Sequence, residues 1–187
     1  RANIGHGVKC THCGNAAAGG LEAALLAARG LTANADILAH EEGFTAAFFP
    51  KGIDREMLLG YGKPFRFADP GMAIKFYPSK YPTHFGISAA LEVRQAIGDP
   101  QDIVDVRIIT PPMPDVVRPA PASGLEGKFS FEYTVACALL DGRVGIASFH
   151  DERRFRADMA VLLPKIAVTA DSSIPTAFNR MRIAVEV

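Results

Sequence analysis

Apolar positions recur with helical spacing in the first third of the chain and with mixed spacing beyond it. Across residues 15–29, Leu21, Leu25 and Ala28 share one face, Asn15 suits an N-cap and Gly30 a stop, which together predict a helix. Gly19 and Gly20 weaken its first half by about 1 kcal/mol each relative to Ala, which points to close packing against another backbone. Thr32 with Asp36 predicts a second helix start, and residues 43–49 predict a short buried helix. These segments are Ala-rich and thinly charged, as expected of helices covered on several sides. Residues 1–69 make a poor domain alone and are expected to be the last helices of an all-helical domain. Residues 1–12 have the texture of a connection, so the chain is expected to be a fragment of a larger protein.

The pattern changes at Asp69-Pro70-Gly71. Residues 73–77 predict a short strand, and Thr83 caps a helix running to about residue 97, which Gly98-Asp99-Pro100 ends. Residues 103–109 alternate like a half-buried strand. Residues 111–128 are Pro-rich and predict a loop, followed by a helix over 129–140 that Asp141-Gly142 closes. A further helix is predicted over 155–163, with strands at 166–169 and 182–187. Strands and helices without strict alternation predict an α+β domain over residues 70–187.

Composition narrows the function classes. Twenty basic residues balance twenty acidic ones, so no overall field draws the chain to nucleic acid or to an anionic membrane. No apolar run approaches the roughly 20 residues of a membrane span. The three cysteines are an odd count and argue against a secreted disulfide framework, which makes the cytoplasm the expected compartment. Any preference for anions must come from a local group of cations.

Such a group stands at Ile74-Lys75-Phe76-Tyr77-Pro78-Ser79-Lys80-Tyr81-Pro82-Thr83-His84, where two lysines, two tyrosines and a histidine crowd a Pro-punctuated turn. That is chemistry suited to holding a polycarboxylate and moving a proton beside it. A competing constellation is His6, Cys10, His12 and Cys13, a Cys-x-x-Cys flanked by histidines. No second Cys/His pair follows at finger-like spacing, and Cys137 and His150 are remote, so no metal is expected.

Three ordered motifs carry a resemblance. They are Lys9-Cys10-Thr11-His12-Cys13-Gly14-Asn15-Ala16-Ala17, then Ile74-Lys75-x-Tyr77-Pro78-Ser79 with Thr83-His84, then Lys128-Phe129-Ser130-x-x-Tyr133 followed by residues 136–142. Together they resemble the MmgE/PrpD family, which includes 2-methylcitrate dehydratases, cis-aconitate decarboxylases and an iminodisuccinate epimerase. The resemblance implies a large all-helical domain with a smaller α+β lid and a site in the cleft between them. It also implies a small di- or tricarboxylate substrate and proton removal next to a carboxylate, with neither metal nor organic cofactor. The first expectation is a lyase of the 2-methylcitrate dehydratase type. The alternatives are a decarboxylase, an epimerase or a non-catalytic carboxylate-binding module.

Site residues follow motif by motif. Lys75 of K-x-Y-P is expected to clamp a substrate carboxylate, although a lysine between Ile74 and Phe76 also suits snorkelling from a strand edge. Lys9 and His12 are expected to bind substrate, with helix capping equally open to His12. His84 opens a helix, where the macrodipole disfavours imidazolium, so a neutral ring there suits proton transfer; a histidine bonded to backbone is the alternative. Tyr133 is expected to touch substrate or take part in protonation, or else to lie in the core with its hydroxyl at the rim. Lys80 adds a cation that tunes the acid accepted, or is a solvated loop lysine. Exposed Ala-rich helices predict self-association, with a homodimer expected.

Overall fold

The computed structural model describes residues 6–69 and 71–187. The chain divides into two compact units, Cys10–Ile74 in one, and Lys75–Val187 with the first described residues up to Lys9 in the other.

In the Cys10–Ile74 unit, α1 spans Thr11–Ala28, α2 Phe44–Phe48 and α3 Arg55–Leu59. Helix α1 starts four residues before Asn15, because a 3-10 turn over Gly7–Cys10 feeds directly into it and no side chain caps it. Its end is the predicted one: Gly30 takes φ +94°, its N–H reaches the Ala27 carbonyl, and the Leu31 N–H reaches the Leu26 carbonyl. The second helix expected from Thr32 does not form. Residues 35–42 make turns, started by the Asn34 side chain accepting the Asp36 N–H at 2.9 Å. Helix α2 is present, but Phe44 and Phe48 are exposed on it rather than buried.

In the Lys75–Val187 unit, α4 spans Thr83–Ala96, β1 Val106–Thr110, α5 Gly124–Gly127 and α6 Phe131–Asp141. Then follow α7 at Asp151–Arg154, α8 at Ala157–Leu162, β2 at Ile166–Ala170 and β3 at Ala184–Glu186. The sheet order is β2-β1-β3, with β1 parallel to β2 (Ile108 beside Val168) and antiparallel to β3 (Ile108 beside Val185). Val106, Ile108 and Thr110 point into the core, and Arg107 faces out to pair with Glu186. Helix plus a small mixed sheet is an α+β arrangement, as the sequence predicts.

Helix α6 is the central element. The Ser130 hydroxyl accepts the Tyr133 N–H at 2.9 Å to start it, and Gly142 in the left-handed region closes it. Every residue from 131 to 139 is buried, between α4 on one side and β2 and α8 on others. Gly86 lets α4 approach closely, since a Cβ there would stand 3.3 Å from a Val135 methyl. The strand predicted over 73–77 is absent: that segment is irregular and leads into the turn before α4. Among the described residues, no helix is long and apolar enough to cross a membrane.

Candidate functional site

The segment 75–84 folds into a compact turn on the N-terminal end of α4. The Lys75 ammonium donates to the Ser79 carbonyl at 3.0 Å, closing the turn across its own mouth. The Thr83 hydroxyl donates to the Lys80 carbonyl at 2.8 Å, which leaves the Ser79 hydroxyl to donate to Thr83 Oγ1 at 2.7 Å. Backbone bonds from Thr83 to Lys80 and from His84 to Tyr81, both 3.0 Å, carry the turn into the helix.

His84 lies beneath this turn and is 7% exposed. The Tyr77 ring meets it edge-on at 5.2 Å between centroids, and the Tyr81 ring is tilted against it at 5.3 Å. Phe178 packs edge-on to Tyr81 at 5.1 Å. Among the described residues neither imidazole nitrogen has a hydrogen-bond partner, and both are enclosed. Burial holds the ring below its ordinary pKa, and the nearby Lys75 charge pushes the same way; the Ser79 and Tyr77 carbonyls pull against them. Burial outweighs those carbonyls and leaves the ring below its ordinary pKa.

Lys80 is tied down twice. Its ammonium pairs with Asp115, from the 3-10 turn Pro114–Val116, and its backbone N–H donates to the Lys128 carbonyl at 2.8 Å. It is therefore neither a free cation nor a freely solvated lysine. Asp115, inside the Pro-rich loop, carries no motif that singles it out in the sequence.

Tyr133 does not join the Lys75–His84 group. It is fully buried in α6, and its hydroxyl donates to the Ser148 carbonyl at 2.5 Å. Burial holds the phenol well above its ordinary pKa, and the buried Cys137 beside it adds to that. Its ring lies in the core, but its hydroxyl is buried against Ser148 and not at the rim. Lys9 is exposed on the turn Gly7–Cys10, and His12 is exposed in the first turn of α1. Among the described residues, no group of three or more His, Cys, Asp or Glu side chains is arranged to hold a metal, and that covers His6, Cys10, His12 and Cys13. A cleft of 740 Å³ in the same unit, lined by Arg143, Ser148, His150 and Arg153 among others, contains none of Lys9, His12, Lys75, Lys80, His84 and Tyr133.

The chemistry available at the turn is thus a lysine ammonium close to a buried neutral imidazole. Comparison with known proteins adds context. Residues 77–187 match the MmgE/PrpD C-terminal domain, and residues 1–56 match the MmgE/PrpD N-terminal domain. The chain is 30% identical over 193 residues to a cis-aconitate decarboxylase of Mus musculus, covering all of this chain and 39% of that protein. It is likewise 30% identical over 192 residues to a cis-aconitate decarboxylase of Homo sapiens, covering 40% of it. The chain thus spans about two fifths of the length of these curated relatives.

Proposed function

The chain belongs to the MmgE/PrpD family, and from that premise we propose that it supplies the Lys75 side of a lyase site for a small di- or tricarboxylate. The observation that carries the proposal is the Lys75 ammonium beside a buried His84 whose nitrogens have no partner among the described residues. Removing a proton or carbon dioxide next to a carboxylate builds negative charge on the neighbouring carbon and its carboxylate oxygens. A fixed ammonium stabilises that charge most where water is excluded. A neutral imidazole near pH 7 accepts or returns the proton. In this reading Lys75 leaves the Ser79 carbonyl for the substrate carboxylate, and the tyrosine side of the turn opens to bring His84 into reach. Lys9 and His12, both exposed, are further candidates for binding the acid. No cofactor is required by this chemistry.

Cis-aconitate is the first substrate to try, because both relatives named above are decarboxylases of that acid. 2-Methylcitrate, dehydrated by the same kind of proton removal, is the second. The test is turnover of these two acids by the gene-encoded protein, followed by carbon dioxide release and by alkene absorbance. Release of carbon dioxide from cis-aconitate selects the decarboxylase, and a rising alkene signal from 2-methylcitrate selects the dehydratase. A second reading, a carboxylate-binding module without turnover, draws on the enclosure of the His84 nitrogens. Saturable binding of either acid with no product would support that module and reject the enzyme.

A further inference from the structure

We propose that Tyr133 is a positioning residue for the Lys75 turn, acting through its ring on the Gly127-Lys128 backbone rather than by touching substrate. The kinetic part of this inference rests on the function proposed above; the structural part does not.

The hydroxyl of Tyr133 is already committed, donating to the Ser148 carbonyl at 2.5 Å inside the core. The ring does something else. A Cβ placed on Gly127 would stand 2.4 Å from Tyr133 Cδ1 and 2.6 Å from Cε1, so the backbone of residue 127 rests directly on the ring. The other end of α5 is wedged in the same manner. A Cβ on Gly124 would stand 2.5 Å from the Phe149 carbonyl oxygen, and the Gly124 N–H donates to Asp151 at 2.7 Å. The ring of Tyr133 therefore sets the floor of the slot holding α5.

The residue after Gly127 reaches the candidate site. The Lys128 carbonyl accepts the Lys80 N–H at 2.8 Å, and the Lys80 carbonyl in turn takes the Thr83 N–H at 3.0 Å and the Thr83 hydroxyl at 2.8 Å. Ser79, next to Lys80, holds the Lys75 ammonium at 3.0 Å. A shift of the Tyr133 ring is thus passed to the Lys75 turn through one backbone hydrogen bond. The ring matters for this and the hydroxyl proton does not, which separates the inference from a proton-donor role.

The test uses the gene-encoded protein with Tyr133→Leu, Tyr133→Phe and Gly127→Ala, reading cis-aconitate kinetics against pH and hydrogen exchange of the Lys80 amide. Tyr133→Leu and Gly127→Ala are expected to raise KM about ten-fold or more and to speed Lys80 exchange by about ten-fold or more. Tyr133→Phe, which keeps the ring, is expected to rescue both readouts and to leave the pH profile unchanged. A fall in kcat of more than about ten-fold in Tyr133→Phe, or a lost limb of its pH profile, would assign the hydroxyl to chemistry and overturn the inference. So would Lys80 exchange unchanged from wild type in the variants that disturb the ring. Should those variants not fold, the kinetics and Lys80 protection of Tyr133→Phe decide alone. If the wild type turns over neither acid, the proposed function fails, while the Lys80 exchange comparison still decides whether the ring holds the turn.

Discussion

The rings of Tyr77 and His84 stand edge to face, 5.2 Å between centroids with their planes at 74°, and this contact walls an imidazole into a turn that also carries a lysine. The arrangement has a pH consequence. In the unfolded chain His84 has the ordinary histidine value of 6.5, whereas burial lowers it in the folded state. The unfolded state therefore binds more protons across the window between the folded pKa and 6.5. Stability contributed by the neutral ring is intact above 6.5 and is lost as pH falls through that window. Denaturant unfolding of His84→Phe is expected to lose less stability between neutral pH and pH 5 than the wild type. Parallel curves for the two proteins would show that the ring titrates normally.

Lys80 and Asp115 form an ion pair whose side chains are 22% and 52% exposed. Solvent screening limits such a pair, so Lys80→Met is expected to change stability by less than about 1 kcal/mol. The backbone bond from residue 80 to Lys128 survives that substitution, and the Lys75 turn should keep its place. A loss of several kcal/mol in chemical unfolding would mean the pair holds more of the fold than its exposure allows.

The cysteines divide by surroundings. Cys10 and Cys13 are exposed, while Cys137 is fully buried in α6 and burial pushes its thiol up to about 12. Alkylation at pH 8 read by mass spectrometry is expected to modify Cys10 and Cys13 in minutes and Cys137 only after denaturation. Labelling of native Cys137 at a similar rate would contradict the packing of α6.

Helix α1 buries none of its residues, and Leu21, Leu25 and Leu26 on it are 64%, 52% and 40% exposed. An apolar helix left open in this way favours association. The purified 187-residue chain is expected to form dimers or larger species at micromolar concentration. Light scattering that gives a monomer mass throughout would reject this.

Elements with a clear start and stop were legible in the sequence. Gly98 follows the end of α4 and Asp141-Gly142 closes α6, whereas Thr83, expected as a cap, is the first residue of α4, with Pro82 at the cap position and no capping side chain. Hydrogen-bonded caps are local, and local chemistry is what a sequence shows. The start of α1 was misread because a 3-10 turn continues into the helix without a capping side chain. Residues 73–77 are expected as a short strand, yet a strand needs a hydrogen-bonded neighbour and that segment has none in the sheet. At the candidate site, the proximity of Lys75 to His84 was legible because a tight turn joins them. The placement of Tyr133 was not. Helix α6 is buried on every side, so no amphipathic pattern marks which face meets Gly127 and Ser148.

The central claim is that the Lys75 ammonium stabilises charge on a bound organic acid, and Lys75→Ala tests it most directly. The side chain is exposed and, among the described residues, makes one hydrogen bond, to the Ser79 carbonyl, so the variant should fold with little change in stability. Its kcat/KM on whichever acid the wild type turns over is expected to fall by roughly thirty-fold or more, about 2 kcal/mol of transition-state stabilisation. A folded Lys75→Ala variant with wild-type kcat/KM would contradict the account.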